Sequence, residues 1–116
     1  MSFPFDALRR APDVEGPGLV AADAADRLLL DESRSVREEC GPNELTVIGD
    51  AYGALALGAA WEGARGIRVH QDALTGEQAI EANAERADLR GAIAVHPELD
   101  ADVVQGARVV LLRLPR

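Results

Sequence analysis

The chain has 116 residues, 47% apolar and 28% charged, the balance of one small globular domain with a single core rather than of a disordered segment. Twenty acidic against twelve basic side chains leave a net charge of −8, which argues against a free-standing nucleic-acid binder, whose affinity begins with a basic footprint over phosphates, though not against one local Arg cluster. No apolar run approaches the ~18–20 residues that span a bilayer, Met1-Ser2-Phe3-Pro4 has no basic segment ahead of an apolar one, and the lone Cys40 cannot form an internal disulfide, so a cytoplasmic, non-membrane protein is expected.

Residues 1–20 contain Pro4, Pro12 and Pro17, with Gly16 and Gly18 around the last, and read as an extended N-terminal arm. Asp23 then stands as an N-cap before a helical pattern in which Ala25, Leu28 and Leu29 share an apolar face. The charged run Ser33 to Glu39 is expected to fray and face solvent, and Gly41-Pro42-Asn43 ends it. Leu45-Thr-Val-Ile-Gly49 is a short buried strand. Gly53 to Trp61 is small and apolar nearly all round, as in a helix buried against a sheet. Ile67 to His70 is a second strand, and Leu74 to Ala87 a second amphipathic helix with Leu74, Ala79, Ile80 and Ala84 inward. Ala92 to Val95 makes a third strand, and after a short connection Val109 to Leu114 makes a fourth, the most apolar of all.

This alternation builds an α/β parallel sheet covered on both faces, and right-handed crossovers give the strand order 3-2-1-4. It is half of a doubly wound fold, ending after strand four, with the domain proper spanning 21–116.

A strand, a Gly-containing turn, a helix and a second strand ending near acidic residues suggest a nucleotide-type site. Through Glu15-Gly-Pro-Gly-Leu-Val-Ala-Ala-Asp-Ala-Ala-Asp-Arg-Leu-Leu-Leu30, Ile48-Gly-Asp-Ala-Tyr-Gly-Ala-Leu55, Asp72, Glu81-Ala-Asn83 and Leu114-Pro115-Arg116, the chain resembles the N-terminal domain of the bacterial ribosomal-RNA guanine-N2 methyltransferases, which are built from two related Rossmann-like methyltransferase domains. The resemblance covers most of the chain. It implies that the catalytic C-terminal domain of the parent enzyme binds S-adenosylmethionine and carries an Asn-Pro-Pro-aromatic motif, absent here, while the N-terminal domain is a catalytically silent copy that helps to engage rRNA.

The residues support silence independently. A working adenosylmethionine loop has an acid at the end of strand one and then spaced glycines, which let the backbone pass close to the ligand. Here Val47 stands at the acid position, with Gly49, Ala51 and Gly53 at the glycine positions and Tyr52 before the last. At the ribose-binding position stands Gln71, with Asp72 one step later. Gly49, Asp50, Tyr52, Gly53, Gln71 and Asp72 are therefore the residues of a vestigial cofactor site, and no cofactor is expected on this chain.

Bland readings stand beside these. Asp50 caps the helix that follows, and Asp72 or Thr75 the next. Tyr52 either stacks on a base or plugs the pocket. Arg9, Arg10, Arg113 and Arg116 are candidate phosphate contacts, or scattered surface charges. His70 and His96 lack metal-ligand spacing, Ser33 and Ser35 lack a nucleophile elbow, and no metal is expected. An unpaired edge on strand 109–114 would invite pairing with a second copy.

Overall fold

The computed structural model describes residues 3–12, 15–16, 19 and 21–113. Four short strands form one all-parallel sheet in the order β3-β2-β1-β4: β1 Leu45–Ile48, β2 Ile67–His70, β3 Ile93–His96 and β4 Val109–Leu112. The helices are α1 Ala24–Glu38, α2 Ala54–Trp61, α3 Leu74–Arg86 and α4 Ala101–Val104. The fold class and strand order are those expected from the alternation of elements.

Strand side chains alternate between faces, and the two faces differ. Leu45, Val47, Ile67, Val69, Ile93 and Leu111 point to one side, where they form a single core with α2, Leu30 of α1, and Ile80 and Ala84 of α3. Thr46 and Arg68 point to the other. There the Thr46 hydroxyl donates to the Val103 carbonyl at 2.6 Å and the Arg68 guanidinium donates to the Asp102 carbonyl at 3.0 Å, so the four-residue α4 sits on that face. This short helix, capped by Asp100 accepting from the Asp102 amide at 3.1 Å, lies inside what the sequence presents as a plain connection.

α2 is buried from Ala54 through Ala60, as its all-round apolar character requires. α1 approaches it closely: a methyl added to Gly58 would lie 2.7 Å from Leu30 Cδ1. The arm folds back over this junction. Phe3 and Leu8 are buried, and the Phe3 ring meets Phe5 and Trp61 edge-on at 5.1 and 5.7 Å.

Three local expectations differ from the structure. The buried stripe of α1 is Asp26, Leu30, Ser33 and Arg37, while Leu28 is exposed. The charged end does not fray, because Arg37 donates to Ser33 Oγ at 2.8 Å, the Leu30 carbonyl at 2.6 Å and Glu62 at 2.7 Å. Leu74, the first residue of α3, faces solvent instead of the core. As the strand order requires, β4 is an edge strand, with Val110 and Leu112 half exposed; Leu114, expected within it, lies outside the described residues.

Candidate functional site at the strand carboxyl ends

In open α/β sheets ligands bind beyond the carboxyl ends of the strands. Here that end holds a cleft of about 500 Å³ between the ends of β1, β2 and β4, with Gly49, Tyr52, His70, Gln71 and Arg113 among its walls. The cleft is lined by Gly49, Tyr52, Gln71, Asp72 and Arg113 of the residues singled out in the sequence, and the chain's own groups bind one another around it.

The β1–α2 loop is the centre. Asp50 is fully buried, and its two carboxylate oxygens accept from the Leu55 and Ala56 amides at 3.1 and 2.9 Å. It thus caps α2, using the free amides that make a helix N-terminus an anion site. Burial raises its pKa from 3.8 to about 6, against the opposing pull of those amides. Val47, at the position of the expected acid, is buried in the core.

Gln71 braces the same loop. Its amide donates to the Asp50 carbonyl at 2.9 Å while its side-chain oxygen accepts from the Ala73 amide at 3.0 Å. Gly49 has φ +82°, and a Cβ there would sit 2.1 Å from the Arg113 carbonyl, so its missing side chain lets the end of β4 cross close by. Gly53, at φ +98°, enters α2 as the N-cap.

Tyr52 turns toward the arm. Its hydroxyl accepts from Arg10 Nε and Nη2 at 3.1 and 2.9 Å. Beneath it lies Asn83, a residue that sequence reasoning did not single out for a role. Asn83 is buried in α3, and its Nδ2 donates to the carbonyls of Arg9 and Tyr52, both at 2.8 Å. Its Oδ1 accepts from the Arg9 amide at 2.9 Å and from Arg86. The amide's full bonding capacity is used. The signal was present: a polar amide beside Ile80 and Ala84, on the inward face of an amphipathic helix.

Asp72 caps nothing. Its carboxylate lies 2.8 Å from His70 Nε2, while His70 Nδ1 lies 2.9 Å from the His96 carbonyl. Both neighbours are acceptors, so the pair of contacts favours the protonated ring, in which both nitrogens donate. Burial pulls its pKa down, but the His96 carbonyl and Asp72 outweigh it and the pKa is raised. Thr75 provides no cap to α3, whose N-cap Ala73 has no side-chain bond.

Of the phosphate-contact candidates, Arg113 is paired with Asp23 at 2.8 Å and with Asp26. The same two aspartates form the capping box of α1, in which each side chain accepts the other's amide at 3.0 Å. Burial raises the Asp26 pKa despite Arg113. Arg9 is exposed and Arg10 half-buried; Arg116 lies outside the described residues. Among the described residues no three His, Cys, Asp or Glu side chains come together as a metal site. Cys40 is half-buried, with burial pushing its thiol pKa up.

A larger groove, about 890 Å³, runs between the arm, α1 and the end of α2. Within it Glu62 holds both Arg34 and Arg37, at 3.2 and 2.7 Å.

Residues 2–116 match the family model described as the RLMG N-terminal domain. No curated protein matches the chain.

Proposed function

We propose, for a chain that belongs to the RLMG N-terminal domain family and so to part of an rRNA large-subunit m2G methyltransferase, that it is a catalytically silent domain which aids rRNA recognition while a second domain performs the methyl transfer. The family implies an S-adenosylmethionine-dependent parent enzyme.

The observation that carries silence is the occupancy of α2's N-terminal amides by Asp50. Donors that could hold an anionic ligand group are spent on a buried side chain, and Gln71, at the ribose-binding position, is bound to the Asp50 carbonyl. With Val47 where the acid is needed, these residues do not fit S-adenosylmethionine. The cofactor when bound supplies an electrophilic methyl group, and nothing in this cleft is arranged to present it. We place the protein in the cytoplasm, where ribosomal RNA is available; no helix among the described residues is long and apolar enough to cross a membrane.

The recognition role is tested by ultraviolet cross-linking of the full-length enzyme to its rRNA, followed by mapping of the linked peptides. Cross-links within this segment are expected. Contacts confined to the catalytic domain would overturn it.

A second reading, a homo-oligomer paired through the 109–114 edge, is favoured by the exposure of Val110 and Leu112, 45% and 54%, on an edge strand. Such an edge templates pairing with another chain. Light scattering across a concentration series is expected to show a dimer on this reading, and a monomer throughout would exclude it.

A further inference from the structure

Arg9, Tyr52 and Arg86 come from three separate parts of the chain and converge on one buried side chain, Asn83, and Arg10 joins them through Tyr52. Asn83 fixes the backbone of Arg9 on both sides, the backbone of Tyr52, and the guanidinium of Arg86. The Tyr52 hydroxyl then receives Arg10, whose guanidinium lies 5.1 Å from the ring centroid. The Arg86 guanidinium and one arginine–tyrosine pair are thus held in place before any partner arrives, beside the anchored backbone of Arg9, whose guanidinium donates to the Asp6 and Leu8 carbonyls at 3.2 and 3.3 Å.

The charge around them differs from that of the domain. Arg9 and Arg86 are exposed and, among the described residues, neither has a carboxylate within ion-pair distance, whereas the arginines elsewhere on α1, β4's end and the α3–β3 connection do. Asp6, close to Arg9 in sequence, faces Arg27 at 3.6 Å, and Glu81 of α3 faces Arg90 at 3.6 Å. Glu15 accepts the Arg10 backbone amide at 2.7 Å. On α3 the acidic residues Glu77, Glu81 and Glu85 recur every four residues, and Ala79, Ala82 and Asn83 carry the path to Arg86 without a carboxylate.

We propose that Arg9, Arg10, Tyr52 and Arg86, gathered around Asn83, form a contact patch for single-stranded RNA. The arginines hold phosphates, whose planar oxygen pairs fit guanidinium forks, and the arginine–tyrosine pair gives an unstacked base a surface to lie on. An acidic protein surface would use the charges but not the ring. Arg113 takes no part, since Asp23 and Asp26 already neutralise it. The proposal rests on the recognition role above and names the residues that perform it.

The test is fluorescence anisotropy of a short labelled single-stranded RNA with this chain over a salt series. The Arg9→Gln/Arg86→Gln double variant is compared with an Arg65→Gln/Arg108→Gln control of equal charge change, each confirmed folded by circular dichroism. For single strands each phosphate contact contributes about 0.7 to the slope of log affinity against log salt. The double variant should lose about that much per side chain, together with at least about tenfold in affinity at low salt, while the control loses much less of either. Equal losses in both variants would overturn the patch and leave the recognition role standing. No binding by the unaltered chain at low salt would overturn both. Binding of a polyglutamate peptide that the double variant abolishes, without RNA binding, would reassign the patch to a protein partner.

Discussion

Asp50 provides the most quantitative prediction. Its carboxyl is buried and its pKa is raised from 3.8 to about 6, so the folded state binds this proton more tightly than the unfolded state does. Protonation therefore favours folding. The contribution is fully present below about pH 4, declines as pH rises toward about 6, and is flat above that. About two pKa units at 1.36 kcal/mol each give about 3 kcal/mol lost across that window. Asp50→Asn cannot titrate, and it keeps one acceptor for the two amides that the carboxylate serves. The difference in unfolding free energy between variant and parent should move by about 3 kcal/mol in the variant's favour from about pH 4 to pH 7. Asp26, which burial also raises, titrates in both proteins and largely cancels. Urea denaturation followed by the fluorescence of Trp61, at a series of pH values, measures the difference directly. A difference independent of pH, or one that moves toward the parent, would refute the reasoning and mean that α2's amides hold Asp50 as a comfortable anion.

Three further outcomes are expected. Arg37→Ala should cost about 2–4 kcal/mol in urea denaturation, because three hydrogen bonds of a buried guanidinium disappear and Glu62 loses its closer partner. His70, whose pKa is raised in the fold, contributes stability that is present below its unfolded pKa of about 6.5 and lost as pH rises through the folded value. Ring nitrogen shifts followed over a pH series should show the ring losing its proton at a higher pH in the folded than in the unfolded chain, and His70→Gln should remove that high-pH loss. Asn83→Ala should cost about 2–4 kcal/mol and speed hydrogen exchange at the Arg9 amide, which loses its acceptor; unchanged exchange would mean that Asn83 does not hold the arm.

The four strands and their order were legible because short runs rich in β-branched residues alternate with an apolar and an amphipathic helix, and right-handed crossovers leave one simple order for them. What the sequence hid was polar burial. Hydropathy selects Ala25, Leu28 and Leu29 as the inner face of α1, yet the helix buries Asp26 and Arg37, whose partners Arg113 and Glu62 lie elsewhere in the chain, and Ser33, which receives Arg37. The Arg113–Asp23 pair spans 90 residues, a separation that no local pattern encodes. The crossover rule places the apolar run at 109–112 at the sheet edge, although its composition alone is also that of a central strand. In the candidate site, Asp50 as a cap follows from local spacing. The roles of Gln71, Tyr52 and Asn83 required the third dimension, since each bonds backbone or side chains from a different element.

The most direct measurement is a calorimetric titration of S-adenosylmethionine, and separately of its demethylated product, into the folded chain. No saturable heat is expected, because Asp50 and Gln71 already occupy the loop groups a cofactor would need. Saturable binding of either compound would contradict the silent-domain account and make the cleft at the strand ends a working cofactor site.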